Sequence, residues 1–496
     1  MNMMRTKSVE QSVRDTEEPE FRLRRSLGSL GLVGIGIGAI IGTGIFVLTG
    51  VAAATKAGPA IAVSFVVAGV ASGLAALCYA EFASTVPVAG SAYTFSYASL
   101  GEFLAWIIGW DLMLEFIVGA SAVSIGWSKY FTTGMAAMGV PVSAAVAGAD
   151  GSVVNLPAAA IALALTAVLY LGIRLSSAVN VLIVSIKLAV VAFFIIFGAF
   201  FINVANWSPF VPPPQGAGEA AASLDTPVWE LVFGTMGSFG FQGVIAGAAL
   251  VFFAYIGFDI VASAAEETRR PQRDIPLGIL GSLGICAFLY VAVSLVATGI
   301  LPYSKLNTAA PLATAIAATG NSWATGIISL GAIVGLIAVI LMLLLGQSRV
   351  AFAMSRDGLL PMWLARVHPR YRTPYRITLI SGAVVAVIAA FTPIVEVAEL
   401  VNIGTLFAFI LVAVGVITLR RTRPELHRAF RVPGVPLVPI IAVLVCLYLM
   451  LNLAGWTWIR LLVWLGAGLI IYFAYGIRNS RLARGRTQSI STTYPP

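Results

Sequence analysis

Residues 31–50 read GLVGIGIGAIIGTGIFVLTG. Apart from two threonines, every residue in the stretch is apolar or glycine. At about 1.5 Å per residue such a segment is ~30 Å long, the thickness of a bilayer's hydrocarbon core. It is therefore read as a membrane helix, and an unusual one. Gly34, Gly38 and Gly42 recur every four residues and give a smooth stripe for close helix packing. Gly42-Thr43-Gly44 goes beyond what a stripe needs. Two glycines around a β-branched hydroxyl residue form a weak point where a helix can unwind. On the glycines alone, packing and a helix break both stay open. A dinucleotide fingerprint is set aside, because no G-x-G-x-x-G is complete and no strand–turn–helix context surrounds it.

The whole chain agrees with a membrane reading. Of its 496 residues, 59% are hydrophobic and only 10% charged, too few charges to coat a soluble protein of this size. Twelve apolar runs can be counted, at 30–53, 58–83, 97–132, 154–173, 177–203, 243–265, 276–301, 322–353, 377–393, 397–419, 435–453 and 458–477. Between them the segment 204–242 reads as an extracellular loop; WELVFGTMGSFGFQG, residues 229–243, is either a short interfacial helix or a plain loop followed by an early start of span six. The expected organisation is a tail 1–29, a first five-helix repeat 30–203, the loop 204–242, a second repeat 243–419, two further helices in 420–477 and a tail 478–496. No secretory h-region precedes the first run, so that run is expected to drive insertion itself.

The net charge of +9 is not a nucleic-acid signature, because the basic residues cluster at the ends of apolar runs. Loops after even-numbered runs hold Arg174, Arg269, Arg270 and Arg273, and then two further arginine clusters at 356–376 and 420–431. Loops after odd-numbered runs hold little more than Lys56 and Lys305. Positive-inside bias then places both termini in the cytoplasm of a plasma-membrane protein. Cys78, Cys286 and Cys446 sit inside apolar runs and read as buried thiols. His368 and His427 lie in arginine-rich connections, so neither an intramembrane histidine metal site nor Ser-His catalysis is available. No cofactor is expected, and no enzyme.

A few polar residues interrupt the runs. Span six, ALVFFAYIGFDIVASAAEE at 249–267, is broken by Gly257 and Asp259. Spans one and six are the corresponding first members of two five-helix halves, and glycine-interrupted spans in corresponding places point to a transporter site. Unwinding frees N–H groups that suit a carboxylate and C=O groups that suit an ammonium, the two ends of an α-amino acid. Lys187, in VNVLIVSIKLAVVAFFIIF at 179–197, lies roughly 16 Å deep if span five starts near Ser176. A lysine there must pair, reach a wet cavity or give up its proton, so it is either functional or a contact to a broken-helix carbonyl. Asp111 and Glu115, four residues apart on span three, share one helical face. Each is either part of the site or an interhelical hydrogen-bonding group. Between Ser329 and Ser348 span eight has no Ser or Thr, which leaves no hydroxyl for a sodium ion and favours proton coupling.

AIIGTGIF (39–46), PVAGSAYTFSY (87–97), FFAYIGFD (252–259), AEETRRPQRDIP (265–276) and GQSRVAFAMSRDGLLP (346–361) together resemble the amino acid–polyamine–organocation superfamily, nearest its cationic amino acid transporter-like permeases. The resemblance covers about residues 26 to 480 in order. It implies an all-α integral membrane protein of twelve transmembrane helices, a 5+5 inverted repeat of the leucine-transporter type with spans one and six broken, plus two peripheral helices. It further implies that Ile40, Gly42, Thr43 and Gly44 form the first half of a substrate site. Phe253, Ala254 and Ile256 form the second, with Glu115 near it and Leu343 at the side-chain end. Lys187 matches the lysine that proton-coupled members use in place of sodium. An apolar Leu343 gives no extra attraction for a basic side chain.

The expected function is a secondary active importer of L-amino acids, coupled to protons, embedded in the lipid bilayer and binding no nucleic acid. The competing readings are an amino acid exchanger or polyamine carrier, a membrane-embedded enzyme, and a channel. Polyamines would leave the N–H groups of Gly42–Gly44 unpaired. An enzyme would want a cluster of His, Asp or Ser, and a channel a continuous polar stripe; neither is visible. Protein partners are not legible.

Overall fold

A computed structural model describes residues 27–85, 91–147, 154–172, 177–215, 223–234, 238–264, 268–426 and 428–481. Most of the two expected tails, Arg174, His427, and residues 87–90 and 265–267 of two quoted motifs lie outside the described residues. Those described form helices joined by short turns. Extended pairing among them is limited to isolated bridges such as Leu27 with Thr268 and Pro227 with Ala454.

Numbering helices of six residues or more, α1 is Ser29–Ile40, α2 Ile61–Thr85, α3 Ser91–Ser99, α4 Glu102–Ala137, α5 Leu156–Tyr170 and α6 Ser177–Ala199. After a loop come α7 Val228–Phe233, α8 Gly240–Val251, α9 Pro271–Ile300, α10 Pro311–Ala317 and α11 Ser322–Arg356. The last four are α12 Tyr375–Phe391, α13 Ile394–Thr422, α14 Leu437–Leu451 and α15 Gly455–Ile471. Every apolar run of the sequence carries helix. Among the described residues, eight stretches are long and apolar enough to cross a bilayer, and α1, α5, α12 and α14 are shorter apolar helices. This is a multi-pass membrane architecture. Val63, Val66 and Val70, spaced three and four apart on α2, are 42%, 49% and 56% exposed, one helical face turned outward to lipid.

The structure moves one boundary. The run 97–132 is not one span: Gly101, at φ 100°, turns the chain between α3 and α4. Only glycine adopts that angle without strain. Glu115 therefore stands about thirteen residues into its helix rather than about eighteen, still roughly 20 Å from the helix start. The alternatives for 229–243 resolve into the short helix α7 and the first turn of α8.

Packing pairs α4 with α11, α2 with α9, α5 with α12, and α9 with α1. Two carboxylates pin one end of this bundle. Glu81, near the end of α2, receives Arg420 in a bidentate pair at 2.9 and 2.6 Å and the Val432 N–H at 2.7 Å. Glu102, the first residue of α4 and 2% exposed, accepts from Tyr97 Oη at 3.4 Å, Tyr472 Oη at 3.2 Å and the Ser480 hydroxyl. Arg481 N donates to Asp357 O at 3.0 Å beside it, so residues 472–481 fold back onto the bundle.

Candidate functional site

α1 stops at Ile40 because Ile41 turns to an extended conformation, φ −71° and ψ 96°. Helix resumes as a π-helical turn at Gly44–Leu48. α8 likewise ends at Val251, passes through a tight turn at Phe252–Tyr255, and breaks at Ile256, φ −67° and ψ 141°. Helix returns only at Ile260–Ser263. The glycines make these breaks possible, and they also bring them together. A Cβ on Gly44 would overlap the Ala254 backbone, its N at 2.9 Å, and one on Gly257 would meet Ala39 C at 3.0 Å. Gly257 also holds φ 115°, open in practice to glycine alone. The two broken helices therefore cross at two backbone contacts that tolerate no side chain.

Lys187, on α6, is fully buried, and its Nζ donates to Gly38 O at 2.7 Å and Ile41 O at 3.0 Å. An ammonium at mid-membrane on a lone helix costs about 2.5–3.5 kcal/mol. Here two carbonyls left free by the end of α1 supply the compensation. Tyr290, on α9, is also fully buried; its hydroxyl lies 2.8 Å from Ile40 O and 2.9 Å from Ala254 O and donates to one of the two at a time. Asn402, on α13, donates to Ala249 O at 2.8 Å and Leu250 O at 3.0 Å, two carbonyls in the last turn of α8. Tyr130 Oη donates to Phe46 O at 2.7 Å and holds the π-turn.

The structure brings Ile40, Gly42, Thr43, Gly44, Phe253, Ala254 and Ile256 into one buried region, each less than a tenth exposed. Thr43 Oγ1 is buried and has no partner among the described residues. Leu343, 5% exposed, approaches Gly119 of α4, one turn beyond Glu115. Asp111 and Glu115 are buried on α4, and Glu115 lies within electrostatic reach of both Asp111 and Asp259, the latter from the second break. Neither oxygen of Asp111, nor Glu115 Oε1, nor Asp259 Oδ2 has a hydrogen-bond partner among the described residues.

A profile of the family described as amino acid permease matches residues 27–474. The chain belongs to the amino acid permease family. It is similar to the branched-chain amino acid permease BcaP of Bacillus subtilis, 47% identical over 97% of this chain and 99% of that one. It is equally similar, at 47% over 93% and 95%, to the methylthioribose transporter of the same organism. The vacuolar cationic amino acid transporter 4 of Arabidopsis thaliana is 38% identical over 88% of this chain and 68% of that one. The permease is thus a member of the amino acid–polyamine–organocation superfamily, whose members named here are transporters and not enzymes.

Two groups at the permease's breaks escape a reading of the sequence alone. Tyr290 sits in an apolar run where a tyrosine is unremarkable. Asn402 is a lone amide in AELVNIGTLF at 398–407, and an amide inside an apolar span is the signal that marks it.

Proposed function

We propose that this permease imports a neutral L-α-amino acid with a small or branched aliphatic side chain, by proton-coupled alternating access across the plasma membrane. The observation that carries the reading is the backbone crossing at Gly44 and Ala254, where the starting N–H groups of one half-helix and the closing carbonyls of another converge. Free N–H groups at Gly42–Gly44 take the carboxylate and carbonyls at Phe253, Ala254 and Ile256 take the ammonium. Phe253 and Leu343 give the side chain an apolar wall, and Glu115 stands behind it. The relative named as a branched-chain permease supports this choice.

The twelve-helix 5+5 inverted repeat is part of the same proposal. It is supported by packing of counterparts five spans apart: α2 on α9, α4 on α11, α5 on α12, and α1 crossed with α8 at its break. Both termini lie in the cytoplasm on the arginine bias. Coupling resides in Lys187. Protonated, it ties α6 to the frayed end of α1; neutral, it keeps at most a weaker bond, and α1 is released to move. Binding a proton and substrate in one conformation and releasing both in the other is all that symport requires.

The test is uptake into proteoliposomes with and without an inward proton gradient, with competition by derivatives. N-acetyl and amide forms of a good substrate should not compete, and a gradient should drive accumulation. A specific alternative follows from the second 47% relative. Methylthioribose has neither carboxylate nor ammonium, so its competing as well as leucine would overturn the two-terminus reading.

A further inference from the structure

A cavity of about 860 Å³ lies between α4, α12, α13 and α15, apart from the helix breaks. Its walls change chemistry along α15. In the first two turns Thr457 Oγ1 donates to Glu399 Oε2 at 2.9 Å, and Arg460 Nη2 donates to Glu396 Oε2 at 2.5 Å. Asp225, in the segment before α7, lines the same end. The next two turns present Val463, Trp464 and Ala467, opposite Ile117 and Ile388. From Thr457 to Ala467 is about 15 Å of helix. The cavity is therefore polar at one end and apolar at the other. It also lies at the lipid-facing edge of the molecule, since Leu462 and Val463 are 62% and 67% exposed.

We propose that this cavity is a site for one phospholipid with a zwitterionic, primary-ammonium headgroup of the ethanolamine type. Three carboxylates against one guanidinium disfavour an anionic headgroup. A primary ammonium offers three N–H donors to Glu396 and Glu399, whereas a choline offers none. Arg460 uses one of its five donors on Glu396 and keeps a fork suited to the lipid phosphate. Trp456, 44% exposed at the polar end, is placed as aromatic residues are at a membrane interface. An acyl chain then runs along Val463 and Ala467 over the indole of Trp464. Only an amphiphile dissolved in the bilayer presents both chemistries to an opening that faces hydrocarbon.

The experiment takes the full chain from vesicles of equimolar phosphatidylethanolamine, phosphatidylcholine and phosphatidylglycerol into native mass spectrometry. Phosphatidylethanolamine should be retained at least fivefold over either other lipid, and the double variant Arg460→Gln, Glu399→Gln should lose that preference. On the unsubstituted protein, a phosphatidylethanolamine with a photoactivatable acyl chain should label peptides from 456–467 or 384–400. Equal retention of all three lipids, preference for phosphatidylglycerol, or labelling spread evenly around the belt would overturn the proposal. So would a dimer that crosslinks through α15 and excludes the lipid, which would assign this face to a second copy of the chain.

Discussion

Lys187 Nζ lies 2.7 Å from the main-chain oxygen of Gly38, a bond between residues 149 apart in sequence. It joins the middle of one span to the frayed end of another, and its strength depends on whether the amine carries a proton. If this bond is the coupling element, Lys187→Ala abolishes gradient-driven accumulation while equilibrium substrate binding survives. Lys187→Arg fails to accumulate as well, because arginine keeps its charge throughout. Uptake under a pH gradient, measured beside binding, checks both. Wild-type accumulation by Lys187→Arg would leave the lysine as a packing contact only.

Tyr290→Phe removes the hydroxyl shared by Ile40 O and Ala254 O without changing the ring's shape. It leaves a buried carbonyl short of a donor, at a cost of about 1–3 kcal/mol. Thermal unfolding in detergent should occur several degrees lower, and uptake should fall. An unchanged midpoint would mean that water replaces the hydroxyl there.

The glycines at the first break separate cleanly. Gly44→Ala drives a methyl into the Ala254 backbone, whereas a methyl on Gly42 meets nothing nearer than Val339 Cγ1 at 3.6 Å, an ordinary contact. Overpacking costs about 1–3 kcal/mol. Gly44→Ala is expected to express poorly and to melt early, and Gly42→Ala to fold normally. Size-exclusion profiles and melting curves decide it, and equal stability of the two would remove the backbone crossing.

Leu343→Ser should widen selectivity toward polar or larger side chains, with little loss of stability beyond that of one buried aliphatic group. Uptake by a panel of labelled amino acids is the measurement. An unaltered profile would take Leu343 out of the substrate pocket.

The breaks were legible because glycine and a mid-span polar residue are rare in apolar helices and each has a local reason to be there. Their bracing was not. Phe288 and Tyr290 are two residues apart on α9 and both are aromatic, yet one is 73% exposed and the other fully buried. Which faces lipid and which faces Ile40 is set by the rotation of α9 against α1, a tertiary quantity. The start of α4 was misplaced for a related reason. Gly101 looks like any spacer in an apolar run until its positive φ is seen. Asp259 reads in the sequence as an interruption, but its nearness to Glu115 depends on the second break's path.

The two carboxylates at the end of the bundle also set an order of events during synthesis. Glu81 waits for Arg420, 339 residues further on, and Glu102 waits for Ser480, 378 residues further on. Until those partners leave the ribosome, neither carboxylate can move out of water without a penalty of several kcal/mol. The early helices can insert, but this end of the bundle stays hydrated and unlatched until almost the whole chain has been made. A nascent chain stalled before the end of α13 therefore displays two bare acids at its rim, and one stalled before α15 still displays Glu102 without Tyr472 and Ser480.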